Sequence, residues 1–169
     1  ALEGKAKVSS SGANGGGEIL IGGNYLGKGP EPNASVTVIL DGAEISADAL
    51  NNGDGGRVIV WSDDYTNFQG SITAKGTSDG KGGFVETSSK DNLQAFGSVN
   101  ASGGIGSGEW LLDPSNVTIG SSMSSGEVFG TTFEPNNTTS TVDASEIISA
   151  LQNQNVTIST HSGAAASGN

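Results

Sequence analysis

Apolar and polar residues alternate in short runs along this chain: Ile19 and Ile21; Val36, Val38 and Leu40; Val58 and Val60; Val117 and Ile119; Val156 and Ile158. A period of two is the mark of strands with one face turned inward. Between the runs lie clusters of Gly, Asn, Asp and Ser, such as Asn51-Asn52-Gly53-Asp54-Gly55-Gly56 and Ser78-Asp79-Gly80. These residues supply positive φ angles and side-chain-to-backbone bonds, so they predict tight turns. No helical stretch long enough for a crossover separates the repeated strands, which excludes a doubly wound α/β fold.

The runs also repeat. Gly55-Gly56-Arg57-Val58-Ile59-Val60 is echoed by Gly82-Gly83-Phe84-Val85-Glu86-Thr87, and Gly70-Ser71-Ile72-Thr73-Ala74 returns as Gly97-Ser98-Val99-Asn100-Ala101, at one and the same step. Gly42-Ala43-Glu44-Ile45 leads the second series by one position more than that step. Gly80-Lys81-Gly82-Gly83-Phe84 reappears one position short of it, as Gly106-Ser107-Gly108-Glu109-Trp110. Such a period predicts a stack of similar coils, each burying its apolar face only against its neighbours. Equivalent positions recur in the same chain direction, which favours parallel strands over hairpins. The alternative is an antiparallel sandwich with Gly-rich loops. In a stack, Val58 is expected over Val85 and Ile72 over Val99.

Three segments break the pattern. Val142-Asp143-Ala144-Ser145-Glu146-Ile147 reads as a capping box on Asp143 and Glu146 with Val142 and Ile147 as a hydrophobic staple, predicting a short helix over about 144–152. So short a helix must dock, and Ile147, Ile148 and Leu151 are its expected apolar side. Asn155-Val156-Thr157-Ile158 repeats Asn116-Val117-Thr118-Ile119 at a distinctly longer step, as if one coil carried an insertion; the same excess separates Gly17 from Gly56. Residues 24–33, with Pro30 and Pro32, and residues 121–152 are accordingly expected as irregular insertions, lying outside the coil.

With 28 Gly, 33% hydrophobic and 5% aromatic residues in 169, the chain is thin for a compact globule but adequate for a narrow shaft of Val, Ile, Leu and Ala. It has no Cys and no run of about 18 apolar residues. Ala1-Leu2-Glu3-Gly4 is not a signal peptide, and the chain is expected to be a single repeat segment, 1–169, from a longer protein. Seven Lys and Arg against 18 Asp and Glu give a net charge of −11, which repels phosphate backbones and anionic lipid. Neither nucleic-acid binding nor direct membrane insertion is expected.

The ordered series Gly55-Gly56-Arg57-Val58-Ile59-Val60-Trp61, then Gly82-Gly83-Phe84-Val85-Glu86-Thr87-Ser88, then Trp110-Leu111-Leu112-Asp113-Pro114-Ser115-Asn116-Val117-Thr118-Ile119 resembles the large exoproteins of bacterial two-partner secretion, the filamentous-haemagglutinin and high-molecular-weight adhesin group. The resemblance spans Gly15 to Ile119 at least. It implies a right-handed parallel β-helix, a solenoid of about 27 residues per repeat, the step from Gly55 to Gly82. It also implies export through an outer-membrane partner transporter and display on, or release from, a Gram-negative surface as an adhesin. Its partner would be a host-cell surface receptor or glycan. The family's secretion module with its Asn-Pro-Asn signature is absent here, so recognition of the transporter is not carried by these residues. The lack of Cys fits that route, because a periplasmic disulfide would knot a chain that must cross a pore unfolded.

Some β-helices cleave polysaccharides, so the acids need weighing. Asp63 and Asp64 are adjacent after a strand, with Asp41, Asp48, Asp54, Asp79 and Glu86 as further carboxylates for a two-acid mechanism. Neighbours in a strand point to opposite faces, however, and the only Arg is Arg57. All are expected to be solvated turn carboxylates. His161 is a lone imidazole, and no catalytic triad, phosphate loop or zinc spacing is present. Asp54 and Asp79 sit in Gly-rich turns but match no calcium loop. No catalytic residue, metal ligand or cofactor is assigned. Trp61 and Trp110 are expected in the packing. Of six sequons, Asn33, Asn136 and Asn137 are candidate glycosylation sites, whereas Asn100, Asn116 and Asn155 are expected to serve the coil. Phe129 and Phe133 are candidate contact residues. The reading is a non-enzymatic adhesin segment; its rivals are a polysaccharide-cleaving enzyme and a passive stalk.

Overall fold

The computed structural model describes residues 1–121 and 139–160. A first round of the chain runs through β1 (Lys7–Ser9), β2 (Glu18–Ile21) and β3 (Val36–Ile39); a second through β4 (Glu44–Ser46), β5 (Arg57–Val60) and β6 (Tyr65–Phe68); a third through β7 (Ser71–Thr73), β8 (Phe84–Thr87) and β9 (Asn92–Ala95). There follow β10 (Ser98–Asn100), β11 (Glu109–Leu112), β12 (Thr118–Gly120), β13 (Thr141–Asp143), the helix α1 (Ala144–Ala150) and β14 (Asn155–Ile158). Each round gives one strand to each of three sheets, ordered β1-β4-β7-β10, β2-β5-β8-β11-β14 and β3-β6-β9-β13-β12. All the strand pairs are parallel. The protein is therefore an all-β parallel fold with one short helix.

The repeat fixes the register. Val58 lies opposite Val85 and Ile72 opposite Val99, as the constant step requires. Between the first two rounds the first and second sheets take long steps, Lys7 to Glu44 and Glu18 to Arg57, whereas the third takes a short one, Val36 to Tyr65. The excess thus falls between β2 and β3, where 24–33 was expected to be inserted. Inward positions from all three sheets, including Ile45, Ile72, Val58, Val85, Phe68, Leu93 and Ala95, form one core and are buried to within 1% of full burial. At about 1.5–3 kcal/mol per fully buried branched or aromatic side chain, this shaft is the main term holding the rounds together.

Exposed ion pairs lock neighbouring rounds more weakly: Lys7–Glu44 and Arg57–Glu18, each at 2.8 Å. Asp48 and Asp54 reach one round further, accepting at 2.7 Å from the backbone N–H of Lys75 and Lys81. The glycines make such close stacking feasible. A Cβ on Gly55 would run into the Ala74 carbonyl oxygen, and one on Gly82 into that of Ala101.

Three expectations need correction beyond the third round. The echo of Gly80 in Gly106 aligns Phe84 with Trp110, but Trp110 pairs with Val85, the next residue along. A slip of one position exchanges the two faces of a strand. It turns Trp110 inward, fully buried, with its indole N–H donating to Thr87 Oγ1 at 2.9 Å. The two Asn-Val-Thr-Ile strings are not equivalent, since Thr118 and Ile119 pair with β13 in the third sheet while Asn155–Ile158 pair with β11 in the second. Nor is all of 121–152 an insertion: β13 is a laddered strand between β9 and β12.

The helix forms where the capping signal places it, ending at Ala150. Asp143 accepts from Ser145 N at 2.7 Å, and the Ser145 hydroxyl above all, with that N–H beside it, holds its carboxyl below the usual range. Its docking side differs from expectation. Ala150 is buried and Ile147 packs on the core, whereas Ile148 and Leu151 stay more than half exposed. The reason is position: α1 lies beside β10, β13 and β14. The chain just beyond it supplies Gln154, whose buried amide accepts from Ala101 N at 2.6 Å and donates to Val99 O at 3.1 Å. One side chain thereby takes the place of a fifth strand in the first sheet.

Ile72→Asp places an unpaired carboxylate between Ile45 and Val99, and its expected cost is about 3–5 kcal/mol. Chemical denaturation checks it; an unchanged midpoint would show that Ile72 does not face the core.

Candidate functional site

Side chains on the outer face of the second sheet form two ladders. One runs Glu18, Arg57, Phe84, Glu109 and Asn155, and the other Leu20, Ile59, Glu86, Leu111 and Thr157. The segment 24–33 folds over the middle of both, outside the core as expected. It opens with Asn24, whose Oδ1 accepts from Tyr25 N at 2.7 Å and starts a single 3₁₀ turn, Tyr25–Gly27. Asn24 Nδ2 donates to Glu31 Oε2 at 2.8 Å, which clips the loop to itself and holds the Glu31 carboxyl below the usual range. Ala34 N donates to Gly22 O at 2.6 Å and closes its base.

Side chains and backbone then pin this strap down. Tyr25 meets Phe84 edge-on at 5.8 Å, and the Arg57 guanidinium lies 5.3 Å from the Tyr25 ring centre. Gly27 has φ +64, and a Cβ there would stand 2.5 Å from the Trp61 ring, so the turn requires glycine twice over. Asn33 Nδ2 donates to Asp63 Oδ1 at 3.0 Å and to Gly27 O at 3.1 Å, while Trp61 Nε1 donates to the same carboxylate oxygen at 3.3 Å. Leu26, at φ 54, is the one non-glycine residue with positive φ among those described. Its N–H points at the Glu86 carboxylate, 3.3 and 3.2 Å from the two oxygens.

Glu86 is the chemical anomaly of the sheet. It was expected as a solvated turn carboxylate, yet it lies mid-strand with no exposed surface, laddered between Ile59 and Leu111. Burial pushes its carboxyl up to about 7, against the opposing pull of the Leu26 and Ser88 hydrogen bonds. Sequence reasoning missed it because Glu86 occupies an outward strand position, normally wet. The signal available was that Ile59 and Leu111 stand at the equivalent positions one round either side.

Two concavities flank the strap. A pocket of about 440 Å³ is lined by Lys28, Asn33, Trp61, Asp63, Lys90 and Asp113. A longer, open groove of about 740 Å³ follows the stacked diglycine corners, floored by Gly17, Gly56, Gly83 and Gly108 and edged by Lys81 and Arg57. Its floor is bare backbone because side chains cannot be accommodated there.

Of the residues singled out from sequence, Asn33 is half-buried and its amide nitrogen, the atom a glycan would occupy, already makes the two bonds given above. Asn136, Asn137, Phe129, Phe133 and His161 lie outside the described residues. Asn100 and Asn116 accept from the backbone N–H of Ser102 and Ser140 at 3.0 and 3.1 Å. Trp61 and Trp110 are both in the packing, 4% and 0% exposed. Asp63 anchors the strap and Asp64 is exposed; Asp79 accepts from the Thr77 hydroxyl at 3.0 Å. Among the described residues no group of three or more His, Cys, Asp or Glu gathers to hold a metal ion. No family model and no curated protein matches the chain.

Gly27→Ala must both strain a left-handed backbone and displace Trp61, an expected local cost of about 1–3 kcal/mol. The strap should loosen while the stacked strands hold. Trypsin cleavage after Lys28 should therefore accelerate severalfold with little change in global melting; equal cleavage rates would show that Gly27 is not a constraint.

Proposed function

We propose that the chain is a right-handed parallel β-helix serving as a non-enzymatic segment of a secreted bacterial adhesin, of the filamentous-haemagglutinin type exported by two-partner secretion. The observation that carries this reading is the in-register return of the chain to three parallel sheets around one core. Parallel crossovers of this kind are right-handed in the great majority of cases, which supports the handedness. A stack of this design is stiff along its length and carries variable segments on its flanks without disturbing the ladder, as a display scaffold requires. The ordered Gly-Gly-Arg-Val-Ile-Val-Trp and Trp-Leu-Leu-Asp-Pro-Ser-Asn-Val-Thr-Ile strings supply the likeness to that family.

The placement of the acids favours a scaffold over a polysaccharide-cleaving enzyme. Asp48 and Asp54 bond backbone N–H groups of the next round, and Asp63 holds the strap. On this reading the binding partner is a host-cell receptor or glycan, met on the flanks of the stack, with the outer-membrane transporter engaged only during export. The site of action is the Gram-negative surface or the medium around it.

The isolated chain is expected to bind host cells or a glycan panel saturably, with no turnover of acidic or neutral polysaccharides. Absence of binding would reduce it to a passive stalk. Turnover that is lost in Asp63→Asn or Asp64→Asn with the fold intact would make it an enzyme.

A further inference from the structure

Over the buried Glu86 carboxyl group the strap presents one backbone N–H, that of the left-handed Leu26, flanked by the Tyr25 contacts with Phe84 and Arg57 on one side and by the Asn33 bond to Gly27 O on the other. We propose that 24–33 is a pH-dependent clasp on the second sheet, seated while Glu86 is protonated and released when Glu86 ionises. This inference concerns the strap alone and does not rest on the adhesin reading.

Solvation of the carboxyl group decides between the two states. When Glu86 is neutral, its carbonyl oxygen accepts the Leu26 N–H and the ladder neighbours Ile59 and Leu111 are compatible with an uncharged group. Once ionised, its two oxygens have, among the described residues, the Leu26 N–H and the Ser88 hydroxyl to replace a water shell, which is too few for a carboxylate in an apolar ladder. Lifting the strap readmits water.

The surrounding charges do not reverse this balance. Arg57, on β5, favours the ionised form, but it is shared with Glu18 and set against the rings of Tyr25 and Phe84. Asp113, beyond β11, opposes ionisation. Lys28 on the strap, Lys90 beyond β8 and Asp63 beyond β5 line the neighbouring pocket, and Glu31 is clipped to Asn24.

Linkage between protonation and closure sets the direction. The carboxyl is raised when the strap is closed and near its ordinary value when open, so closure is favoured at low pH and weakens as pH rises through about 7. The opening equilibrium should rise about thirtyfold between pH 5.5 and 8.5. Release would expose Ile59, Leu111 and Phe84 together with the pocket beside Trp61.

The test is amide hydrogen exchange at Leu26 by NMR, corrected for the intrinsic pH dependence of exchange, alongside the side-chain carboxyl ¹³C shift of Glu86. In the wild-type chain Leu26 protection should fall over that pH range, with a midpoint matching the Glu86 titration, while Val58 and Val85 stay protected. Glu86→Gln should keep Leu26 protection flat with pH. Constant protection in the wild type, a fall that does not follow the Glu86 midpoint, or the same fall in a folded Glu86→Gln variant would each overturn the proposal. If Glu86→Gln does not fold, the two wild-type titrations decide it.

Discussion

Everything in this fold depends on the parallel backbone ladder keeping one register on its inward face. A single round has no core of its own; Ile72 is buried only because Ile45 lies on one side of it and Val99 on the other. The chain therefore holds its side-chain alternation in step through every turn, and the glycines at the corners follow from the same requirement. Where the sequence echo slips against the ladder, which pairs Trp110 with Val85 rather than with Phe84, the consequence is a change of face rather than a small shift. Trp110 fills the shaft because of that slip, and Thr87 is there to take its indole proton.

The repeat made the middle of the stack legible from sequence. Its apolar residues recur at a constant step, and the step alone dictates which pairs meet. The end beyond β10 was less legible, for reasons that can be named. Asn-Val-Thr-Ile is a strand by local composition wherever it occurs, and nothing in that string says which of three sheets receives it. β13 entered the third sheet between β9 and β12, a spatial order that differs from chain order and leaves no mark on periodicity. The helix was visible through its cap because Asp143 and Ser145 act locally, whereas its docking face depended on neighbours distant in sequence.

The strap was foreseen as a departure from the period, but its chemistry was not. Pro30, Pro32 and the added length announce an insertion; they do not reveal that its backbone N–H meets Glu86. That contact joins an outward position, normally wet, to a loop two rounds away. Asn33 shows the same difficulty. A sequon is read from consecutive residues, while the occupation of its amide by Asp63 and Gly27 is a property of the folded surface.

Gln154 has a geometric consequence for the end it closes. The first sheet stops at β10 behind a side-chain amide, while the other two sheets each continue by one strand, so that end of the stack is stepped rather than flush. A flush end with three similar sides would accept another three-sided body in three rotational settings. A stepped end distinguishes one setting from the other two, because among the described residues two sides end on a strand and the third on a helix. A single glutamine thus converts a rotationally ambiguous face into a keyed one.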